Sequence, residues 1–156
     1  MTTRRQSHYL ADLLVIGYGN TLRRDDGVGP RVAEAIEEKK LPRVWTLSLP
    51  QLAPEHGECL SRVKVVIFVD AAIDVGEVRL RSLKPATSSR VTTHAVSAPT
   101  VLAIAREYFD RAPRAWMLTI PGSDFSFGEE LSPVASKAVD KAVAKIVEFV
   151  SPSKKR

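Results

Sequence analysis

The stretch GYGNTLRRDDGVG, Gly17 to Gly29, follows directly on the apolar run Leu13-Leu14-Val15-Ile16. A hydrophobic strand therefore feeds a glycine turn, then two adjacent carboxylates, Asp25 and Asp26, then a helix start. Strand-to-helix loops at the carboxyl edge of an α/β sheet are where such folds place their chemistry. Acidic side chains in that loop repel a phosphate and favour a metal ion or an activated water.

The rest of the chain repeats the alternation. Strands are expected at Leu13–Gly17, Val44–Leu49, Val63–Asp70, Glu77–Leu83 and Ala115–Ile120. Most are rich in Val, Ile and Leu with little polar alternation, the pattern of a sheet covered on both faces. Between them, Val28, Val32, Ala35 and Ile36 form an apolar stripe, a short helix covers Pro54–Ser61, and another runs Ser97–Phe109 with Ser97 as cap and Pro99 in its first turn. A last helix is capped by Ser132 and opened by Pro133, with Lys137, Lys141, Lys145 and Glu148 wet and Ala138, Val139, Ala142, Ile146 and Phe149 dry. Glu77–Leu83 is different: it alternates, and Gly76 marks a short turn before it, so it reads as a hairpin partner of the preceding strand and an antiparallel edge. The expected fold is a three-layer α/β/α sandwich, a mostly parallel five-stranded twisted sheet with one antiparallel edge strand and helices on both faces. Residues 1–11 read as a flexible arm, 12–150 as one domain and 151–156 as a basic tail.

The net charge of +5 does not indicate a nucleic-acid partner. Arg4, Arg5, Lys154, Lys155 and Arg156 lie at the two ends, and without them 18 basic residues balance 18 acidic ones. No apolar run approaches the roughly 18–20 residues that span a membrane, and no signal-peptide pattern is visible. The single Cys59 precludes an internal disulfide, reads as a packed thiol and fits a cytoplasmic location.

Familiar nucleotide and hydrolase signatures fail. The dinucleotide fingerprint needs a third glycine where Leu22 stands, and the second strand ends Leu47-Ser48-Leu49-Pro50 without an acid. There is no H-E-x-x-H helix and no G-x-S-x-G elbow. What remains is Asp26 after the first strand, Asp70 closing the run Val65–Val69, and His94 before a helix. The carboxyl ends of neighbouring strands converge on one crevice. Two carboxylates and an imidazole there form an O/O/N set suited to zinc, nickel or iron, with coordination positions left open. Taken singly, each has a structural reading: Asp26 as a helix cap, Asp70 as a turn former, His94 as an ordinary loop residue. Asp25 reads as a solvent-facing or loop-bonding residue, and Asn20 as a bond-maker within the turn that Gly19 relaxes. Arg23 and Arg24 suit a substrate carboxylate or plain surface charge, while His8 and His56 read as surface residues.

These residues together resemble the hydrogenase maturation proteases, which trim the C-terminal extension from the large-subunit precursor of nickel–iron hydrogenases. The opening G-x-G-N-x-L-x-x-D-[DE]-G-x-G is carried by Gly17, Gly19, Asn20, Leu22, Asp25, Asp26, Gly27 and Gly29. Val69-Asp70-Ala71, Thr93-His94-Ala95-Val96-Ser97 and the block Pro121 to Gly128 with Leu131-Ser132 follow in the family's order. The resemblance implies an endopeptidase, conventionally grouped as aspartic, with Asp26 and Asp70 catalytic and Asp26, Asp70 and His94 on the metal. Aspartate at 26, where relatives often carry glutamate, shortens the reach by one methylene. Gln51-Leu52-Ala53-Pro54-Glu55 resembles the branch acting on bidirectional, NAD-linked hydrogenases.

The resemblance further implies a monomer that acts on the precursor after nickel insertion and uses that nickel as the recognition element. Zinc or cadmium is expected to substitute at the site in vitro. Asn20, Gln51, Phe125 and Phe127 are the expected substrate contacts, although the Phe125-Ser126-Phe127 loop also suits a packed entry to the last helix. Two mechanisms stay open: metal polarisation of carbonyl or water, and water activation by the paired carboxylates with His94 moving the proton. The alternative function is a non-catalytic checkpoint that binds the nickel-loaded precursor. Peptidyl-tRNA hydrolase shares a strand-G-x-G-N start, but it carries a histidine soon after the Asn, and its substrate demands a basic surface.

Overall fold

The computed structural model describes residues 9–91 and 96–151. Five strands, β1 (Ala11–Tyr18), β2 (Val44–Leu49), β3 (Val63–Ala72), β4 (Arg79–Leu83) and β5 (Arg114–Pro121), form one sheet in the order β2-β1-β3-β5-β4. All neighbours are parallel except β4 and β5. Among the described residues four helices flank the sheet: α1 (Val28–Glu38), α2 (His56–Leu60), α3 (Ala98–Tyr108) and α4 (Pro133–Val150). A four-residue 3₁₀ turn, Arg24–Gly27, leads into α1.

Successive strand side chains point to opposite faces, so each central strand splits between two cores. Leu13, Val15, Val65, Ile67, Val69, Leu118 and Ile120 meet Val32 and Ile36 of α1 and Ala138, Ala142 and Ile146 of α4. Leu14, Ile16, Val66, Phe68 and Met117 meet Leu60 of α2 and Val101, Leu102 and Ala105 of α3. Burial on both faces explains why β1 and β3 read as continuous apolar runs. Ser97 caps α3 by accepting from the Thr100 N–H, and Ser132 caps α4 by accepting from the Ala135 N–H. Phe149, at the rim of the dry face of α4, meets Trp116 edge-on with ring centroids 5.8 Å apart.

The sequence reading needs correction at β4. It is the antiparallel edge, but its partner is β5 and not β3. β5 is apolar on both faces and needs a strand on either side, whereas β4 is only half-buried, with Leu80 and the adjoining Val78 on the α4 side and Leu83 on the α3 side. A tight hairpin would have left β5 at the edge. Residues 73–78 instead carry the chain past it; six residues reach about 20 Å, and two strand spacings need about 10 Å. β1 also begins at Ala11, one residue inside the expected arm, because Ala11 is buried and pairs with Val63.

Candidate functional site

The glycine turn positions the first acids. Gly19 has φ +148°, and a Cβ on it would lie 1.9 Å from the Asp26 carbonyl oxygen. A Cβ on Gly29 would lie 2.6 Å from both the Tyr18 and the Val69 carbonyl oxygens. Only glycine lets the head of α1 sit this close to the ends of β1 and β3. Arg24, at φ +42°, turns the backbone through the left-handed region between the strand and the two acids.

The two carboxylates diverge. Asp25 is fully buried, which removes the solvent-facing reading and leaves the loop-bonding one. It accepts from the backbone N–H groups of Ser123 (2.8 Å), Asp124 (3.0 Å) and Ser132 (2.8 Å) and from the Ser132 hydroxyl (2.7 Å). Burial opposes its ionisation, but these donors outweigh burial and lower its pKa. Backbone bonds reinforce the tie: Asp25 N–H to Asp124 carbonyl, Arg24 N–H to Gly128 carbonyl, Gly128 N–H to Leu22 carbonyl. The block from Pro121 to Ser132 is therefore the socket for the Asp25 turn.

Asp26 makes no side-chain cap to α1. Its Oδ2 instead accepts from the Asn20 N–H at 2.7 Å, while the Asn20 Oδ1 accepts from the Leu22 N–H at 2.9 Å. Asp26 is partly exposed, and its charge acts on Asp70 at the end of β3. There, the parallel register that pairs Gly17 with Val69 sets Tyr18 beside Asp70. Burial pushes the Asp70 pKa up to about 6; hydrogen bonds from Tyr18 and the Ala71 N–H pull it down, and the Asp26 charge adds to the rise. Tyr18, held up by burial and by Asp70, stays a neutral donor. Asp26 is therefore close enough for its charge to act on Asp70. His94 lies outside the described residues, as does His8. Among the described residues no three His, Cys, Asp or Glu side chains gather as a metal-holding set.

Asp70 opens into a cleft of about 420 Å³ on the α3 face of the sheet, shared with Ala71, Ala72, Val75, Arg79, Arg81, Met117 and Thr119. A larger groove, about 980 Å³, lies between the C-terminal ends of α1 and α4, the opposite end of α1 from Asp26. Asn20 and Gln51 are exposed. Phe127 is 74% exposed beneath the Arg23 guanidinium, 4.5 Å from the ring centroid, whereas Phe125 is half-buried against Gly122. Arg24 approaches Asp124 at 3.7 Å. His56 is not a simple surface residue, since its Nδ1 accepts from the Ala53 N–H at 2.8 Å. Cys59 donates to the His56 carbonyl at 3.1 Å, and burial raises its pKa, as a packed thiol requires.

Sequence reasoning passed over Tyr18, Arg79 and Arg81. Tyr18 carried a signal, its position directly after the expected first strand, beside the strand that ends in Asp70. The arginines carried only the alternation of β4, which does not say which face is open.

No family model matches the sequence, and no curated protein sequence matches it. Solved structures do match. The NiFe hydrogenase maturation protease HycI of Thermococcus kodakarensis superposes with a TM-score of 0.70 at 22% identity over 90% of this chain and 92% of that one. The hydrogenase maturating endopeptidase HybD of E. coli gives 0.68 at 19% identity, over 88% and 91%. A hydrogenase 2 maturation peptidase from a Thaumarchaeota archaeon gives 0.66 at 23% identity, over 89% and 97%. The chain has the fold of these maturation proteases across nearly its whole length.

Proposed function

We propose that this protein is an endopeptidase that removes the C-terminal extension of a nickel–iron hydrogenase large-subunit precursor after nickel has been inserted. The observation that carries this reading is the Asp70 carboxyl at the end of β3, its pKa raised to about 6 by burial and by the charge of Asp26. A carboxyl poised near neutrality is suited to accept a proton from an attacking water. The fold shared with the maturation proteases supports the same conclusion. Asp70 acts as the base, Tyr18 steadies its carboxylate, and Asp26 holds the second oxygen position.

The nickel belongs to the substrate. Two carboxylates with free oxygen positions fit a divalent ion already held by the precursor, and His94 is the proposed third contact. The ion supplies charge that aligns the tail with the cleft, so docking and not a deep side-chain pocket sets specificity. No helix among the described residues is long and apolar enough to cross a membrane, and the proposed setting is cytoplasmic, with the protein acting as a monomer.

The test is intact-mass spectrometry of a precursor incubated with a tenfold molar deficit of this protein, with and without nickel loading. The reading requires loss of the extension from the loaded precursor alone, in many copies per enzyme. A stoichiometric complex without a fragment would instead identify a binding checkpoint.

A further inference from the structure

We propose that Arg79 and Arg81 form a carboxylate-binding subsite in the Asp70 cleft, which takes an acidic group of the peptide substrate a few residues from the scissile bond. This rests on the peptidase reading above.

The register places the groups in rows. Asp70 pairs with Thr119, and Thr119 pairs with Arg79, so carboxylate, hydroxyl and guanidinium stand abreast on one face. One layer below, Arg81 stands opposite Met117. Asp70, Thr119, Arg79 and Arg81 all line the same cleft. The alternate residues of this strand region, Val78 and Leu80, turn to the α4 core, so the alternation delivers both arginines to the open side.

Among the described residues neither guanidinium has an ion-pair partner. All 18 acidic residues of the sequence lie among the described residues, and none forms an ion pair with Arg79 or Arg81. Two cations against the single acid of the cleft leave it net positive. Arginine presents a planar fork that matches a carboxylate through two parallel bonds. The single charge of a carboxylate also suits a cleft that has Asp70 at its end, which a doubly charged phosphate would oppose. Two strand spacings separate Asp70 from Arg79, about 10 Å, the length of about three residues of extended chain. The bound group therefore sits two or three residues from the bond beside Asp70, and it is either an acidic side chain or a chain-terminal carboxylate.

Edge strands also carry charge simply to block pairing with other chains, and the experiment separates the two roles. The ¹⁵N-labelled full chain is titrated with four hexapeptides of one backbone sequence: two glutamates or two glutamines, each with a free or amidated C-terminus. The expected result is shifts at the amides of β4 and Thr119 with carboxylate-bearing peptides and none with the glutamine amide. Binding of the glutamate amide identifies a side-chain carboxylate as the source, and binding of the glutamine peptide with a free C-terminus identifies the terminal one. Arg79→Gln with Arg81→Gln should weaken that binding by at least about tenfold, roughly what one charge-assisted hydrogen bond carries. Equal shifts from all four peptides, no shifts from any, or unchanged affinity in the double variant would overturn the subsite. None of these readouts requires cleavage, so the subsite can fail while the peptidase reading stands, and the reverse.

Discussion

Asp70 carries a pKa of about 6 because burial and the neighbouring Asp26 both disfavour its charge. If it is the base, cleavage should fall as pH drops through about 6, and Asp70→Asn should abolish it. The stability effect has the opposite sign. A raised native pKa means the folded state holds the proton more tightly, so this group's contribution is full below the unfolded value and is lost as pH rises through about 6. Asp70→Asn should therefore raise the thermal midpoint at pH 7.5 and give no gain below about pH 4, where both states are protonated. Calorimetry of the pair across that range checks it. Asp25 behaves inversely. Its lowered pKa stabilises the fold above the unfolded value and that stabilisation is lost as pH falls. Asp25→Ala strands three part-buried backbone donors and should cost about 2–4 kcal/mol, measurable by urea unfolding.

At the level of elements, the head of α4 and the turn before α1 are one assembly. The Ser132 hydroxyl donates to Asp25 and accepts from the Ala135 N–H, so it both caps α4 and braces the acidic turn. Ser132→Ala should cost about 1–2 kcal/mol, or about 3–6 °C in thermal midpoint by circular dichroism. It should also slow cleavage, because the Asp26 turn loses a support. An unchanged midpoint and rate would separate the two elements. Helices and central strands were legible beforehand because caps such as Ser97 and Ser132, and runs such as Val65–Val69, are local signals. The place of β4 was not, since pairing with β5 depends on how an element almost forty residues later completes the sheet. The burial of Asp25 was hidden for the same reason: its donors lie about a hundred residues away in Ser123, Asp124 and Ser132.

For the whole molecule, the parallel order β2-β1-β3-β5 brings the loops after β1 and β3 to one edge, and the acids 26 and 70 with them. Adjacent strand ends made that shared edge readable from topology alone, whereas the arginine-lined cleft needed the sheet order. The account as a whole turns on that pair of carboxylates being the cutting centre and not merely a binding point for the precursor. The most direct measurement is single-turnover release of the extension from a nickel-loaded precursor, followed by mass, for wild type, Asp26→Asn and Asp70→Asn. With the enzyme in saturating excess, release is expected from wild type and a loss of at least about a hundredfold in each variant, on the scale of a missing general base. Release by Asp70→Asn at the wild-type rate would contradict it.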